Sequence, residues 1–105
     1  MGSVSERRLK LSAILRETLG SSNVYYQPPE TVKMKYPAIV YALDAVQNVH
    51  ADDRVYLSHL RYAVTVIDRN PDSEIAERIL QLPMCRFDRH YTSDNLHHFT
   101  FTLIF

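Results

Sequence analysis

Phe99, Phe101, Leu103 and Phe105 alternate with His98, Thr100, Thr102 and Ile104, the period of a strand with one buried face. The apolar phase runs to the last residue, so this end of the chain is expected to be built into a sheet rather than to fray. Ahead of it, residues 84–91 read as the partner strand, with Thr92-Ser93-Asp94-Asn95 as the turn. Helical spacing occurs twice. Leu11, Ile14, Leu15 and Leu19 share one face of a helix expected over Val4–Leu19, with Arg7, Lys10 and Glu17 elsewhere. Ser3 and Glu6 fit a capping box, and Gly20 supplies a left-handed terminating residue. The second helix is expected to open at Asn70-Pro71-Asp72, with Asn70 as N-cap and Pro71 at the first helical position. Ile75, Ile79, Leu80 and Leu82 form its apolar stripe, and Pro83 stops it.

Three further strands are expected. Val24-Tyr25-Tyr26 reads as a short edge strand closed by Pro28-Pro29. Residues 38–43 carry Ile39, Tyr41 and Leu43 on one side and Ala38, Val40 and Ala42 on the other, a strand covered on both faces or placed at an interface. In residues 55–68, Tyr56, Leu60, Tyr62, Val64 and Val66 share one phase; His59, Arg61 and Thr65 share the other. Between these two strands, residues 44–54 are the least regular interior segment and exceed a hairpin turn. Val46 and Val49 punctuate the segment, so it reads either as a loop or as an extended arm of the hairpin. The order predicts an α+β fold: a two-layer sandwich with a mainly antiparallel sheet of four to five strands and both helices packed on one face. Tyr62, Val64, Val66, Phe87, Phe99, Phe101 and Leu103 are expected to face Leu11, Ile14, Leu15, Ile75 and Ile79.

Composition narrows the function. The chain has 105 residues, the size of a single domain spanning 1–105. Twelve basic and twelve acidic residues cancel, which argues against a dedicated nucleic-acid binder. One cysteine allows neither an intrachain disulfide nor a thiolate zinc site, as suits a reducing cytoplasm. No apolar run has signal or membrane-span length, so a soluble protein is expected. With two glycines there is no Gly-rich phosphate loop, and no cofactor is expected. Seven tyrosines suit either an interface or a half-wet sheet.

The candidate chemistry lies on the closing hairpin. His97 and His98 should point to opposite faces, so only one can join His90 across the hairpin. Asp88 or Asp94 would be the third ligand of a metal site there; the plainer reading is solvated histidines. Alternation places Arg86, Asp88 and His90 on one face and Arg89 on the other. That row would suit a small ribonuclease with histidine as base and arginine on phosphate, although such rows more often form cross-strand ion pairs. Cys85, in phase with Phe87, reads as a buried thiol. No Ser-His-Asp arrangement has a nucleophile turn, so no catalytic residue is assigned and the chain is not expected to be an enzyme.

Several strings carry a resemblance. They are Tyr25-Tyr26-Gln27-Pro28-Pro29, Lys35-Tyr36-Pro37-Ala38-Ile39-Val40-Tyr41, and Tyr62-Ala63-Val64-Thr65-Val66-Ile67-Asp68 with Asn70-Pro71-Asp72-Ser73. Cys85-Arg86-Phe87-Asp88-Arg89-His90-Tyr91 with Asp94-Asn95-Leu96 completes the set. Together, over nearly the whole chain, they resemble the tail-terminator or tail-to-head joining proteins of long-tailed bacteriophages. The resemblance implies a structural virion protein, assembled in the host cytoplasm, that forms a six-fold homo-oligomeric ring. Such a ring caps the tail tube, stops its polymerisation and meets the head connector, with the tail tube protein and the head completion protein as partners and DNA able to pass through. A ring needs two different patches per subunit. Val46, Val49, His50, Asp52, Asp53 and Arg54 are the expected interface residues for one of them. The competing readings are a ribonuclease or metal-dependent hydrolase on the His90/His97 hairpin, and a protein-binding adaptor unrelated to virions.

Overall fold

The computed structural model describes residues 4–28, 32–51 and 54–105, with side chains throughout these except at 47–51 and 54–59. The elements in chain order are α1 (Val4–Leu19), β1 (Val24–Tyr26), β2 (Ala38–Ala51), β3 (Arg54–Asp68), α2 (Glu74–Leu80), β4 (Cys85–Ser93) and β5 (Leu96–Ile104). The strands form one sheet in the order β1-β2-β3-β5-β4. The β1–β2 pair is parallel and the other pairs are antiparallel, which makes this an α+β fold.

Register places the apolar phases together. Ile39 lies opposite Val66, Tyr41 opposite Val64, and Val64 in turn opposite Phe101. Leu11, Leu15 and Leu19 of α1 and Ile75, Ala76 and Ile79 of α2 pack on this one face. Each large side chain fully buried there contributes roughly 1.5–3 kcal/mol. The opposite face carries Val40, Ala42, Thr65, Thr100 and Thr102, half-buried, and Ala38 and Ile67, which are buried at the start of β2 and the end of β3. The helices pack on the other face, so the two-sided apolar pattern of residues 38–43 does not mean a second helical layer.

Local signals explain most of the boundaries, and several differ from expectation. Gly20, at φ +82°, ends α1, its amide donating to the Arg16 carbonyl. Ser3 of the expected capping box lies outside the described residues. Arg7, expected on the solvent side, is buried, because it sits one turn before Leu11 on the same stripe. Asn70 is not the cap of α2. The helix starts at Glu74, and Ser73 caps it, with its Oγ accepting from the Ala76 amide at 3.2 Å and donating to Asp68 Oδ2 at 2.7 Å. Asn70 and Pro71 belong instead to the preceding turn, where Asn70 Oδ1 accepts from the Asp72 amide. The closing turn is tighter than the four residues expected: Asp94 and Asn95, both at positive φ, connect β4 to β5.

Candidate functional site

The described residues of the segment 44–54, namely 44–51 and 54, are strand rather than loop. β2 continues through Ala51 and β3 begins at Arg54, so the irregular composition is carried on a paired ribbon. Two register shifts absorb the irregularity. The first skips Asp44, between the Leu43 and Ala45 pairs; the second skips Ser58, between the Gln47 and Asn48 pairs. Each unpaired residue is a bulge, which bends and twists the strand locally. The second one also breaks the alternation that assigned Tyr56 to the phase of Leu60; Tyr56 is the register partner of Val49. At the first bulge, Asp44 Oδ2 accepts from Arg61 Nε at 2.8 Å, an ion pair half open to water. It pins the bulge geometry more than it stabilises the fold.

This ribbon leaves the body of the sheet. The β3–β5 ladder ends at Arg61–Ile104, and the Phe105 amide donates to the Leu60 carbonyl at 2.9 Å. Beyond that point, among the described residues, 47–51 and 54–59 are paired only with each other. The molecule accordingly measures 52 Å along one axis against 26 and 22 Å along the others. Val46, 42% exposed, stands at the root opposite Leu60. Val49 lies opposite Tyr56, His50 opposite Val55 and Arg54 opposite Ala51. Asp52 and Asp53 lie outside the described residues.

The hairpin of β4 and β5 separates the residues that alternation had joined. A register shift between Phe87 and Arg89 leaves Asp88 as a bulge. Arg86 then lies opposite Thr102 and Arg89 opposite Thr100, while His90 lies opposite Phe99 on the helix-bearing side. Asp88 goes with the former group: its Oδ2 accepts from Thr102 Oγ1 at 2.7 Å, and Arg86 Nε reaches its Oδ1 at 3.4 Å. The row Arg86-Asp88-His90 thus does not exist on one face, and the ribonuclease geometry is lost.

His97 and His98 do face apart, and His97 is the one that meets His90. His90 Nε2 and His97 Nδ1 are 2.9 Å apart, with ring planes 10° from parallel. One imidazole donates and the other accepts, the roles following from the tautomer of each ring. Asp88 cannot serve as a third metal ligand from the far side of the sheet. Among the described residues no three His, Cys, Asp or Glu side chains cluster.

Two further sequence expectations move. Phe87 is 44% exposed, although its ring meets Phe101 edge-on at 5.6 Å. Leu80, on the expected apolar stripe, is 45% exposed. Together with Ala76, Phe99 and Phe101 they line a groove of about 310 Å³ between α2 and the β4–β5 hairpin. Alternation names the face of a strand but not whether a helix covers it. Cys85 is half-buried rather than buried, and burial, with Asp88 nearby, pushes its thiol pKa up. This is the opposite of what an activated nucleophile needs.

Beneath α1, Ser12 Oγ and the Tyr41 hydroxyl share a hydrogen bond, and the Tyr41 hydroxyl also reaches the Arg8 carbonyl at 3.4 Å. Tyr62, stacked obliquely against Tyr41, is fully buried, and its hydroxyl has no hydrogen-bond partner among the described residues. Desolvation, then the neighbouring Tyr26 and Tyr41, raises its pKa. Among the described residues no helix is long and apolar enough to cross a membrane. No protein-family model and no curated protein sequence matches this chain.

Proposed function

We propose that this chain is a structural virion protein. In this reading it caps the tail tube of a long-tailed bacteriophage as a homo-oligomeric ring, terminates tail polymerisation and forms part of the head–tail joining interface. The observation that carries the reading is the self-paired β2–β3 ribbon. A two-stranded ribbon is at best marginally stable alone in water, and strand-rich stretches that stand off a body gain their stability from a partner. Ala45, Val46, Val49, Val55, Tyr56 and Leu57 make it too apolar for a purely solvated arm. The tail-terminator resemblance of the sequence supplies the identity of the assembly, and binding alone is the work such a protein does.

The hydrolase alternative now draws only on the His90–His97 contact, since Arg86 and Asp88 face away from it. The deciding experiment is deletion of the gene followed by electron microscopy. DNA-filled heads should accumulate beside tails that overrun their normal length or fail to join, because an uncapped tube end still offers the surface that recruited its last ring. Normal infectious particles would overturn the virion reading in favour of the adaptor or the hydrolase. An activity lost on His90→Ala would then single out the hydrolase.

A further inference from the structure

β4 is the outer strand of the sheet, beyond β5, and its far edge has no strand beside it among the described residues. The backbone groups that point inward fix those that point outward. The Met84 carbonyl accepts from the Ile104 amide. The Arg89 amide donates to Thr100 Oγ1 at 3.2 Å, and that hydroxyl donates back to the Arg89 carbonyl at 3.1 Å. Alternation from Met84 turns the backbone of Cys85 and Phe87 outward, and alternation from Arg89 turns that of His90 and Thr92 outward. The same four residues lie on the helix-bearing face, opposite Leu103, Phe101, Phe99 and His97. Arg86, Asp88, Arg89 and Tyr91 carry the other face.

An exposed edge strand is a template for pairing, and charges and bulges are the usual guards against it. On β4 the guards themselves carry a register. The bulge sets two consecutive residues, Asp88 and Arg89, on one face, so a straight strand laid along the edge falls out of phase there. A second copy of β4 has the same offset. Laid antiparallel with its Arg89 opposite Asp88, it matches offset to offset, and the phase holds from Cys85 to Thr92.

We propose that the free edge of β4 pairs with β4 of a second copy of the chain in this register. Phe87 then meets His90 of the second copy and Cys85 meets its Thr92, outward backbone against outward backbone. Asp88 meets Arg89 of the second copy, and Arg86 meets its Tyr91 ring, each contact occurring twice by symmetry. Within one copy Arg89 rests on its own Tyr91 ring at 4.9 Å, and Asp88 has Arg86 Nε at 3.4 Å, an exposed pair of little value. Moving the register by one residue sets Asp88 against His90 in one direction and Phe87 against Arg89 in the other, side chains on opposite faces. The two sheets become one of ten strands, with all four helices on one face. The contact is isologous and closes at two copies, so it is not the repeating contact of a ring and does not depend on the capping reading. The paired stretch is about 26 Å long. That is a small interface, so the dimer is weak and forms with rising concentration.

The test combines sedimentation with amide exchange of the full chain from micromolar to millimolar concentration. The wild type should shift from monomer to dimer. The amides of Cys85, Phe87, His90 and Thr92 should gain protection with it, while those of Arg86 and Tyr91, already turned toward β5, should not change. Asp88→Arg sets arginine against arginine across the two-fold, and Arg89→Asp sets aspartate against aspartate. Each should weaken the dimer by at least about tenfold. An equimolar mixture of the two variants restores both ion pairs and should form one-to-one heterodimers, and the double variant Asp88→Arg/Arg89→Asp should dimerise with itself. Thermal melts verify that each variant is folded; Arg89→Asp keeps the test valid if Asp88→Arg disturbs the bulge, since it leaves the Asp88 contacts in place. A wild type that stays monomeric at millimolar concentration would overturn the self-pairing. A dimer without protection of the four outward amides would place the contact elsewhere, and a charge-swapped mixture that stays monomeric would overturn the register.

Discussion

Strands β2 and β3 pair along their whole length, yet their two halves live in different surroundings. Residues 38–43 and 61–68 are flanked by β1 and β5 and lie under both helices, so Tyr41, Tyr62, Val64 and Val66 are almost wholly buried. Residues 45–51 and 54–59 continue the same ladder with no third strand and no helix among the described residues. In both halves the two strands pair with each other; what differs is the neighbouring strand, which is β1 or β5 in one half and, among the described residues, missing in the other. The net value of a ladder bond is only about 0.5–1.5 kcal/mol. The comparison teaches that one strand pair can form the core at one end and leave the sheet at the other.

The strongest way to break this picture is Phe101→Ala in the covered half. Phe101 is 1% exposed and sits between Val64 and Phe87 in the ladder, so its loss should cost about 3–5 kcal/mol in denaturant unfolding. A loss under about 1 kcal/mol would mean that the covered half is not the centre of stability.

Ser73→Ala should cost about 1–2 kcal/mol, because it removes the N-cap that starts α2 and the hydroxyl held by Asp68. Asn70→Ala should cost less; the reverse order would return the cap to Asn70. Both effects should be confined to the covered half, leaving amide exchange in the ribbon unchanged.

Tyr62→Phe should raise stability at neutral pH by up to about 1 kcal/mol, since the buried hydroxyl it removes has no partner among the described residues. The same variant bears on alkaline stability. With its pKa raised in the folded state, Tyr62 keeps its proton when the unfolded chain has begun to lose it, so the unfolded state binds fewer protons. Stability is then fully present below the ordinary phenol pKa and falls as pH rises beyond it. Denaturant midpoints measured across that range should fall less steeply for Tyr62→Phe than for the wild type. Equal slopes would show that Tyr62 ionises freely in the fold.

Val46→Ala, at the root of the ribbon, should change monomer stability by no more than about 0.5 kcal/mol. Ribbon amides should exchange through local opening, well before those of residues 61–68. Equal protection of the two halves would show that the ribbon is as well covered as the body.

Much of the fold was legible from local pattern. Element order, the one-sided core of β5, the α1 stripe and the outward and inward fates of His98 and His97 all follow from periods of 3.6 and 2, which neighbouring residues fix by sterics alone. The same period allowed only one of His97 and His98 to meet His90, and the structure shows that it is His97. The errors cluster where that period is interrupted. A bulge at Asp88 sent Arg86 and His90 to opposite faces, while at Asp44 and Ser58 bulges decided for the extended arm where the pattern had left loop and arm both open.

By itself, then, the sequence determined which residues prefer burial, where helices and turns begin to compete, and that two amphipathic helices require one sheet face. Only the tertiary structure decided how far each layer extends. Whether Phe87 is core or surface depends on the length of a helix that passes beside it, and whether residues 45–51 and 54–59 are loop or ribbon depends on pairing between distant segments. A bulge is chosen by the match of two strands along their whole length, and coverage by the reach of another element. Neither quantity is contained in the local alternation of polar and apolar residues.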